Sequence, residues 1–448
     1  MAGPRKSLCG FLTQARAALR GAIDSSQNVT LVIGNESADL DSMSCSLLYA
    51  YLRSMSPPKN AFSPLYIPIT NIPASDVQLR PEYLAVLRHA NVEAKQLITL
   101  DDLPAPEDMQ SRLRPEKTKW ILVDHNQLQG QLGKIYSHRV AGVIDHHDDE
   151  GSVPRDTGDE PRILEKSGSC TSLIANYCRP AWDQLSGSAM SSGAEPGPEE
   201  SSRSSDADAA SVKQWDADVA KLGLASILID TAKLEDKSKT TKHDVAAVEY
   251  LEAKVMLCPQ LAATYDRRSF YEEIDAAKKD MGAMALQDIL RKDYKQWDQQ
   301  GLKLGVSSVV KPIAFLQQKA GEEEGQGGGG GVGAEKALLG GVEKFCRERG
   351  LDVYSVMTTS TSSEGKFQRE LLVWGFGESG VRAAKGFARQ AEEELGLSTW
   401  DGPSDVAEGS LGKEQWRKVW WQGEVQHSRK RVAPLLRAAM GNGQQVVE

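Results

Sequence analysis

Apolar residues in the first 180 positions follow two alternating rhythms. Short unbroken runs occur at Val29-Thr30-Leu31-Val32-Ile33, Leu65-Tyr66-Ile67, Leu97-Ile98-Thr99, Trp120-Ile121-Leu122-Val123 and Val140-Ala141-Gly142-Val143-Ile144. Other stretches carry apolar side chains at helical spacing, such as Leu8, Phe11, Leu12, Ala15 and Leu19, or Met43, Leu47, Leu48 and Tyr51. Short, fully apolar strands separated by amphipathic helices predict a parallel sheet covered on both faces. That is an α/β, doubly wound domain. Helical spacing returns at Asp216–Ile229 and Asp244–Val255. A second compact region follows, with a helical stretch over Ile274–Leu290 and strand patterns at Leu302–Val310, Val353–Met357 and Glu370–Trp374. The pattern predicts a first domain over 1–255, a linker over 256–264, and a smaller α+β domain with a mixed sheet over 265–448. Residues 186–211 and 321–334 are rich in Ser, Gly and acids and poor in large apolar side chains. Such stretches bury too little to offset their ordering entropy, so disordered surface insertions are expected there.

Composition narrows the picture. The 448 residues hold 53 Lys and Arg against 62 Asp and Glu, a net charge of −9. A protein that coats nucleic acid or an anionic membrane is usually basic, so neither partner is expected. Any anionic ligand must be held locally. Six cysteines in a chain of this length, with no C-x-x-C pair, suit a reducing cytoplasmic setting. No apolar run approaches the ~20 residues of a membrane span. The cationic start (Arg5, Lys6, Arg16, Arg20) resembles a transit segment, but its apolar spacing favours an ordinary amphipathic helix.

Four segments end an apolar run with groups that bind cations. Gly34-Asn35-Glu36-Ser37-Ala38-Asp39-Leu40-Asp41-Ser42 follows a strand and opens a helix. Alone, its D-x-D suits a helix cap as well as a ligand pair. Asp124 closes the Trp120–Val123 run, where open α/β sheets bind ligands, although a helix cap is equally consistent. Asp145-His146-His147 closes another run, and packing alone hardly explains two histidines behind an aspartate. Asp230 ends an apolar helical run, where it opposes the helix dipole unless a cation lies near. Several carboxylates with one imidazole suit Mn²⁺ or Mg²⁺ better than a thiolate-seeking metal.

In order and form, this set resembles the DHH phosphoesterase superfamily, whose motif stands here as Asp145-His146-His147. The Asn35–Ser42 segment is similar to that of cytosolic fungal-type exopolyphosphatases and their prune relatives. Family II inorganic pyrophosphatases carry histidine at the place of Asn35. Asp293-Tyr294-Lys295-Gln296-Trp297 and the segment from Gln426 through Ser428-Arg429-Lys430-Arg431 to Leu435 resemble the opening and closing of a DHHA2 domain. The resemblance implies an active site in the cleft between a DHH and a DHHA2 domain. It implies two divalent cations, Mn²⁺ or Mg²⁺, bound by Asp39, Asp41, Asp124, His146 and Asp230, with Asn35 as a further candidate ligand. Asp39 serves the first metal, Asp41 the second, and Asp124 both. His147, Lys295, Ser428, Arg429 and Lys430 would bind substrate, with His147, Lys295, Arg429 and Lys430 catalytic; Arg267, Arg268 and Lys311 are candidates for extending the cationic track. The implied activity is a metal-dependent exopolyphosphatase, acting as a monomer. It would hydrolyse terminal phosphoanhydrides of inorganic polyphosphate to orthophosphate, through a water activated by two metals. The alternatives are a prune-like phosphodiesterase or short-chain polyphosphatase, an inorganic pyrophosphatase, and a non-catalytic scaffold.

Overall fold

The computed structural model describes residues 5–191, 199–282, 284–325, 332–410 and 414–442. It comprises two compact units, Met1–Lys278 and Lys279–Glu448. The break falls later than the expected 255–265. The helix Arg267–Lys279 buries Phe270 and Ile274 in the core of the first unit, and that packing carries the chain past the expected linker.

In the first unit, β1 (Val29–Ile33), β2 (Tyr66–Ile69), β3 (Thr118–Val123), β4 (Val140–Asp145) and β5 (Arg162–Leu164) form one parallel sheet in the order β2-β1-β3-β4-β5. The order reverses between β1 and β3. At such a switch point neighbouring crossovers leave on opposite faces and open a crevice beyond the strand ends. The amphipathic helix at the start is Leu8–Ser25, burying Leu8, Phe11, Leu12, Ala15 and Leu19 as its spacing predicts. The run Leu97–Thr99 is not a strand of the sheet. It makes one bridge, Thr70 to Thr99, because short 3₁₀ turns at Ala94–Gln96 and Leu100–Asp102 leave no room for a longer ladder.

β5 stays on the sheet edge through Glu160. This buried carboxylate accepts from the hydroxyls of Tyr49 (3.0 Å) and Tyr66, while Arg53 donates to the neighbouring Asp159 carbonyl (2.6 Å).

The Ser-rich stretch 186–211 is helical at both ends rather than a loop. Residues 186–191 complete the helix Cys170–Ser191, and 199–211 begin the helix Glu199–Asp230, while 192–198 lie outside the described residues. Tertiary contact overrides composition here. Asp216 accepts hydrogen bonds from Trp182 Nε1 (2.7 Å) and Ser186 Oγ (2.8 Å) and so ties the two helices together. Of the second insertion, 321–323 end the helix Ile313–Glu323, 332–334 begin the helix Val332–Arg349, and 326–331 lie outside the described residues.

The second unit is a mixed sheet covered by helices. Its strands are β6 (Tyr294–Gln299), β7 (Leu302–Val309), β8 (Val353–Thr358), β9 (Ser360–Thr361), β10 (Phe367–Gln368), β11 (Glu370–Phe376), β12 (Leu397–Thr399), β13 (Glu408–Ser410) and β14 (Gln415–Gln422). The main sheet runs β12-β14-β11-β8-β7-β6, with β13 on β14 and only β7–β8 parallel; β9 and β10 pair separately. The single helix expected over Ile274–Leu290 is two, Arg267–Lys279 and Leu286–Lys292. Asp280 interrupts it by accepting from the Gly282 N–H (3.1 Å), a local turn that competes with helix.

Candidate metal centre

Three strand ends of the parallel sheet meet around Asp124. After β1, Gly34 lets the chain pass close to the next helix, since a Cβ there would lie 2.8 Å from the Ser42 carbonyl oxygen. Asn71 donates to the Gly34 carbonyl (2.9 Å). Buried Arg80 donates to the carbonyls of Ser37 (2.7 Å) and Ala38 (2.9 Å). These bonds hold Ala38 at φ 43°, a left-handed conformation that an alanine rarely adopts. The chain then enters the helix Leu40–Met55 with Asp39 as its cap, accepting from the Ser42 N–H (3.0 Å). The D-x-D segment is thus a cap that also presents two carboxylates.

Asp124 follows β3 at φ 60°, tolerable for an aspartate. Its Oδ2 accepts from Ser42 Oγ (2.7 Å) and Asn35 Nδ2 (2.8 Å). The Asn35 amide has only one orientation. Its oxygen receives the Ser37 backbone N–H (2.9 Å), which can only donate, so the NH₂ must face Asp124. Asn35, expected as a candidate ligand, donates its NH₂ to Asp124, and its oxygen is already occupied by the Ser37 N–H and hydroxyl.

The β4 end carries Asp145-His146-His147. Asp145 Oδ1 accepts from His147 Nδ1 (2.7 Å) and its Oδ2 from Asn126 Nδ2 (2.6 Å). Burial alone would raise the Asp145 carboxyl, but these bonds hold it well below the ordinary range. Asn126 also donates to the Asp148 carbonyl (2.9 Å) and accepts from the Glu150 N–H (2.8 Å), so it fixes the loop after the histidines. His146 Nδ1 lies 3.0 Å from the Ser167 carbonyl and must carry its proton there. Its Nε2 then faces Asp124 Oδ1 at 3.2 Å.

Asp41 and Asp230 come from helices. Asp41 accepts from the hydroxyls of Ser169 (2.6 Å), Thr171 (2.7 Å) and Ser226 (2.8 Å), and from the backbone N–H groups of Cys170 (2.7 Å) and Thr171 (3.0 Å). Burial opposes its charge, yet His146 and these donors bring its carboxyl below the usual value. Asp230 ends the helix Glu199–Asp230. Its Oδ2 is buried and accepts no hydrogen bond among the described residues. Burial, then Asp41, push its carboxyl well upward, against the pull of Lys278. Asp124 is also raised, by burial and then by Asp41 and Asp39.

These features fit a divalent cation. In a neutral His146, Nε2 and Asp124 Oδ1 would set two lone pairs face to face. Two ligands ~2.1 Å from one ion at right angles lie about 3.0 Å apart, close to the 3.2 Å between those atoms. Asp124, Asp145, His146 and His147 each offer a donor atom within 4.8 Å of the others. The orphaned Asp230 oxygen and the raised carboxyls likewise call for positive charge.

Asn35, Asp39, Asp41, Asp124, His146, His147 and Asp230 all belong to the first unit; Asp124, His146 and His147 cluster with Asp145, and the charges of Asp39 and Asp41 act on Asp124 and Asp230. In the second unit, Ser428 precedes the helix Arg429–Asn442, so Arg429 and Lys430 open it. Arg429 reaches the Asp293 carbonyl (3.0 Å) and carboxylate (2.8 Å), which sets it beside the strand of Lys295. Arg267, a candidate for the cationic track, is instead paired with Glu252 (2.6 Å). The hydroxyls of Ser169, Thr171 and Ser226, and the supports Arg80 and Asn126, are neighbours of these groups that pattern reading missed. The one local signal was Ser167-Gly168-Ser169-Cys170-Thr171-Ser172, a cluster of small polar residues opening a helix.

Two family models match the chain, the DHH family N-terminal domain over 29–194 and the DHHA2 domain over 272–439. The chain is a DHH-family protein of the DHHA2-bearing branch. A Schizosaccharomyces pombe protein with the provisional name exopolyphosphatase is 29% identical over 95% of this chain and 96% of its own. Exopolyphosphatase PRUNE1 of Bos taurus is 26% identical over 94% of this chain and 78% of its own. A manganese-dependent inorganic pyrophosphatase of Methanothrix thermoacetophila is 26% identical over 64% of this chain and 72% of its own. A Methanococcus jannaschii structure, provisionally assigned as a family II inorganic pyrophosphatase, shares the fold at a TM-score of 0.51 and 20% identity, over 92% of this chain and 99% of that one. Among the described residues no helix is long and apolar enough to cross a membrane, and the six cysteines are free.

Proposed function

We propose that this protein is a metal-dependent phosphoanhydride hydrolase, specifically an exopolyphosphatase that releases orthophosphate from the ends of inorganic polyphosphate. The observation that carries the reading is the His146–Asp124 pair, whose facing atoms stand 3.2 Å apart, a spacing that suits two ligands of one cation, beside the orphaned Oδ2 of Asp230. Asp39, Asp41, Asp124, His146 and Asp230 would hold two divalent cations, with Asp124 shared. When bound, such ions supply Lewis-acid stabilisation of phosphoryl charge and lower the pKa of water.

The remaining roles fall to side chains of this chain. Asp145 accepts the Nδ1 proton of His147, and a doubly protonated His147 would donate its Nε2–H to a phosphate oxygen. Arg429, with its planar fork, and Lys430 and Lys295, as point charges, would take phosphate oxygens, aided by the Ser428 hydroxyl. Asn35 and Ser42 keep Asp124 oriented through its second oxygen. The relatives named exopolyphosphatase span almost the whole chain, which supports polyphosphate over pyrophosphate.

The test is phosphate release from long polyphosphate and from pyrophosphate, with Mn²⁺, Mg²⁺ or chelator. Turnover should need a divalent ion, favour polyphosphate, and fall at least 10²-fold in Asp124→Asn. Turnover in chelator, or an unaffected Asp124→Asn, would remove the metal-centred reading. A preference for pyrophosphate would replace the substrate and leave the site.

A further inference from the structure

The residues after Asp230 adopt a conformation that L-amino acids avoid. Ala232, Lys233 and Leu234 stand at φ 48°, 63° and 71°, three consecutive left-handed residues and none of them glycine. Such residues usually occur singly, because Cβ crowds the following carbonyl oxygen. A run of three persists only when its surroundings fix it.

Thr231 is what fixes it. This fully buried residue donates its hydroxyl to the Ile227 carbonyl (2.6 Å), and the same oxygen accepts the Leu234 N–H (3.1 Å). One side chain thereby brackets the turn from its helical side to its far end. Lys233 N–H donates to the Leu228 carbonyl (2.8 Å) and Asp236 N–H to the Thr231 carbonyl (3.1 Å). The Lys233 ammonium lies over the Tyr271 ring at 5.0 Å.

The Thr231 methyl faces Gly168, where an added Cβ would lie 2.6 Å from it. Gly168 sits between Ser167, whose carbonyl orients His146, and Ser169, whose hydroxyl holds Asp41. Buried Asp244 anchors that strip by accepting from the Gly168 (2.9 Å) and Ser169 (3.2 Å) N–H groups. Thr231 therefore adjoins Asp230 itself and the supports of two further cation-binding candidates, His146 and Asp41.

We propose that Thr231 is a positioning residue, whose hydroxyl locks the left-handed turn and so holds Asp230 in place for a divalent cation before the ion arrives. The inference rests on the metal-dependent reading above. A carboxylate whose Oδ2 finds no partner among the described residues would swing away if the helix end frayed, and the locked turn prevents that. Ordering is completed on folding and not on binding, so affinity is gained through preorganisation.

The test is Mn²⁺ binding by calorimetry, with unfolding midpoints in chelator, on full-length wild type, Thr231→Val, Thr231→Ser and Asp230→Asn. Thr231→Val keeps the shape and loses the hydroxyl, so it should bind Mn²⁺ about 10–100-fold more weakly, as expected when a support of a ligand is removed. Thr231→Ser, which keeps the hydroxyl, should bind within about threefold of wild type. A Thr231→Val protein that binds as tightly as wild type, while Asp230→Asn does not, would overturn this inference and spare the metal reading. A wild type that binds no Mn²⁺ would remove the metal reading itself. Should Thr231→Val fail to fold, hydrogen exchange on the wild type decides. Slow exchange of the Lys233 and Leu234 amides in chelator supports a turn locked in advance, and fast exchange that slows only with Mn²⁺ overturns it.

Discussion

Asp41 and Asp230 are acids that feel each other's charge but are set in opposite surroundings. Around Asp41, Ser169 and the helices Cys170–Ser191 and Glu199–Asp230 supply hydroxyls and N–H groups, and its carboxyl is lowered. At the end of the helix Glu199–Asp230, Asp230 keeps a buried oxygen without a donor among the described residues, and its carboxyl is raised. The difference separates two tasks. The protein itself compensates much of the Asp41 charge, so that carboxylate is held in place before any ion binds. The Asp230 charge is left for something that binds.

The largest effect should come from removing the compensated acid. Asp41→Ala leaves several buried donors without an acceptor and should cost about 3 kcal/mol or more in chelator, read by urea unfolding. Asp230→Asn relieves an unpaired charge and should leave chelated stability unchanged or raised. If the two variants shift stability alike, the contrast is broken. Next, Mn²⁺ at a hundredfold excess over its dissociation constant should stabilise wild type by about 2.7 kcal/mol, and Asp230→Asn by clearly less at the same concentration.

A smaller drift should follow pH. Asp230 and Asp124 have folded pKa values above their unfolded ones, so their contribution is full at low pH and is lost as pH rises through the folded values. Asp41 and Asp145 are lowered, and their contribution is lost only as pH falls below about 4. In chelator, stability should therefore rise as pH falls through the raised folded values of Asp230 and Asp124, and saturating Mn²⁺ should flatten or reverse the trend in thermal melts. The smallest effect expected is Asn71→Ala, which removes one bond to Gly34 and should cost about 1 kcal/mol.

Much of the centre was legible because its chemistry sits where a rhythm stops. Asp124 and Asp145-His146-His147 follow apolar runs that are β3 and β4, and a strand's end is where a parallel sheet exposes ligand groups. Asp230 stood out because an acid is misplaced at a helix C-terminus. The hydroxyl cradle of Asp41 was not legible, since Ser169, Thr171 and Ser226 gain meaning only when distant helices meet. Nor was the role of Asn35, which depends on the direction of one backbone N–H two residues on. Within the fold, β5 is only three residues long, and β14 mixes Arg417 and Lys418 among its tryptophans, so neither presents a clean alternation. The Ser-rich stretch misled because composition does not register the Asp216 tie between two helices.

The Glu160 anchorage has a practical use. The segment leaving the histidines is tethered at Asp148 and Glu150 by Asn126, and captured again at Asp159 and Glu160 by Arg53 and two tyrosines. Between these moorings, Pro154, Arg155 and Asp156 are open to solvent. A dye or short epitope grafted at Arg155 would ride on a bight of chain made fast at both ends, giving a reporter beside the histidines that leaves their geometry undisturbed.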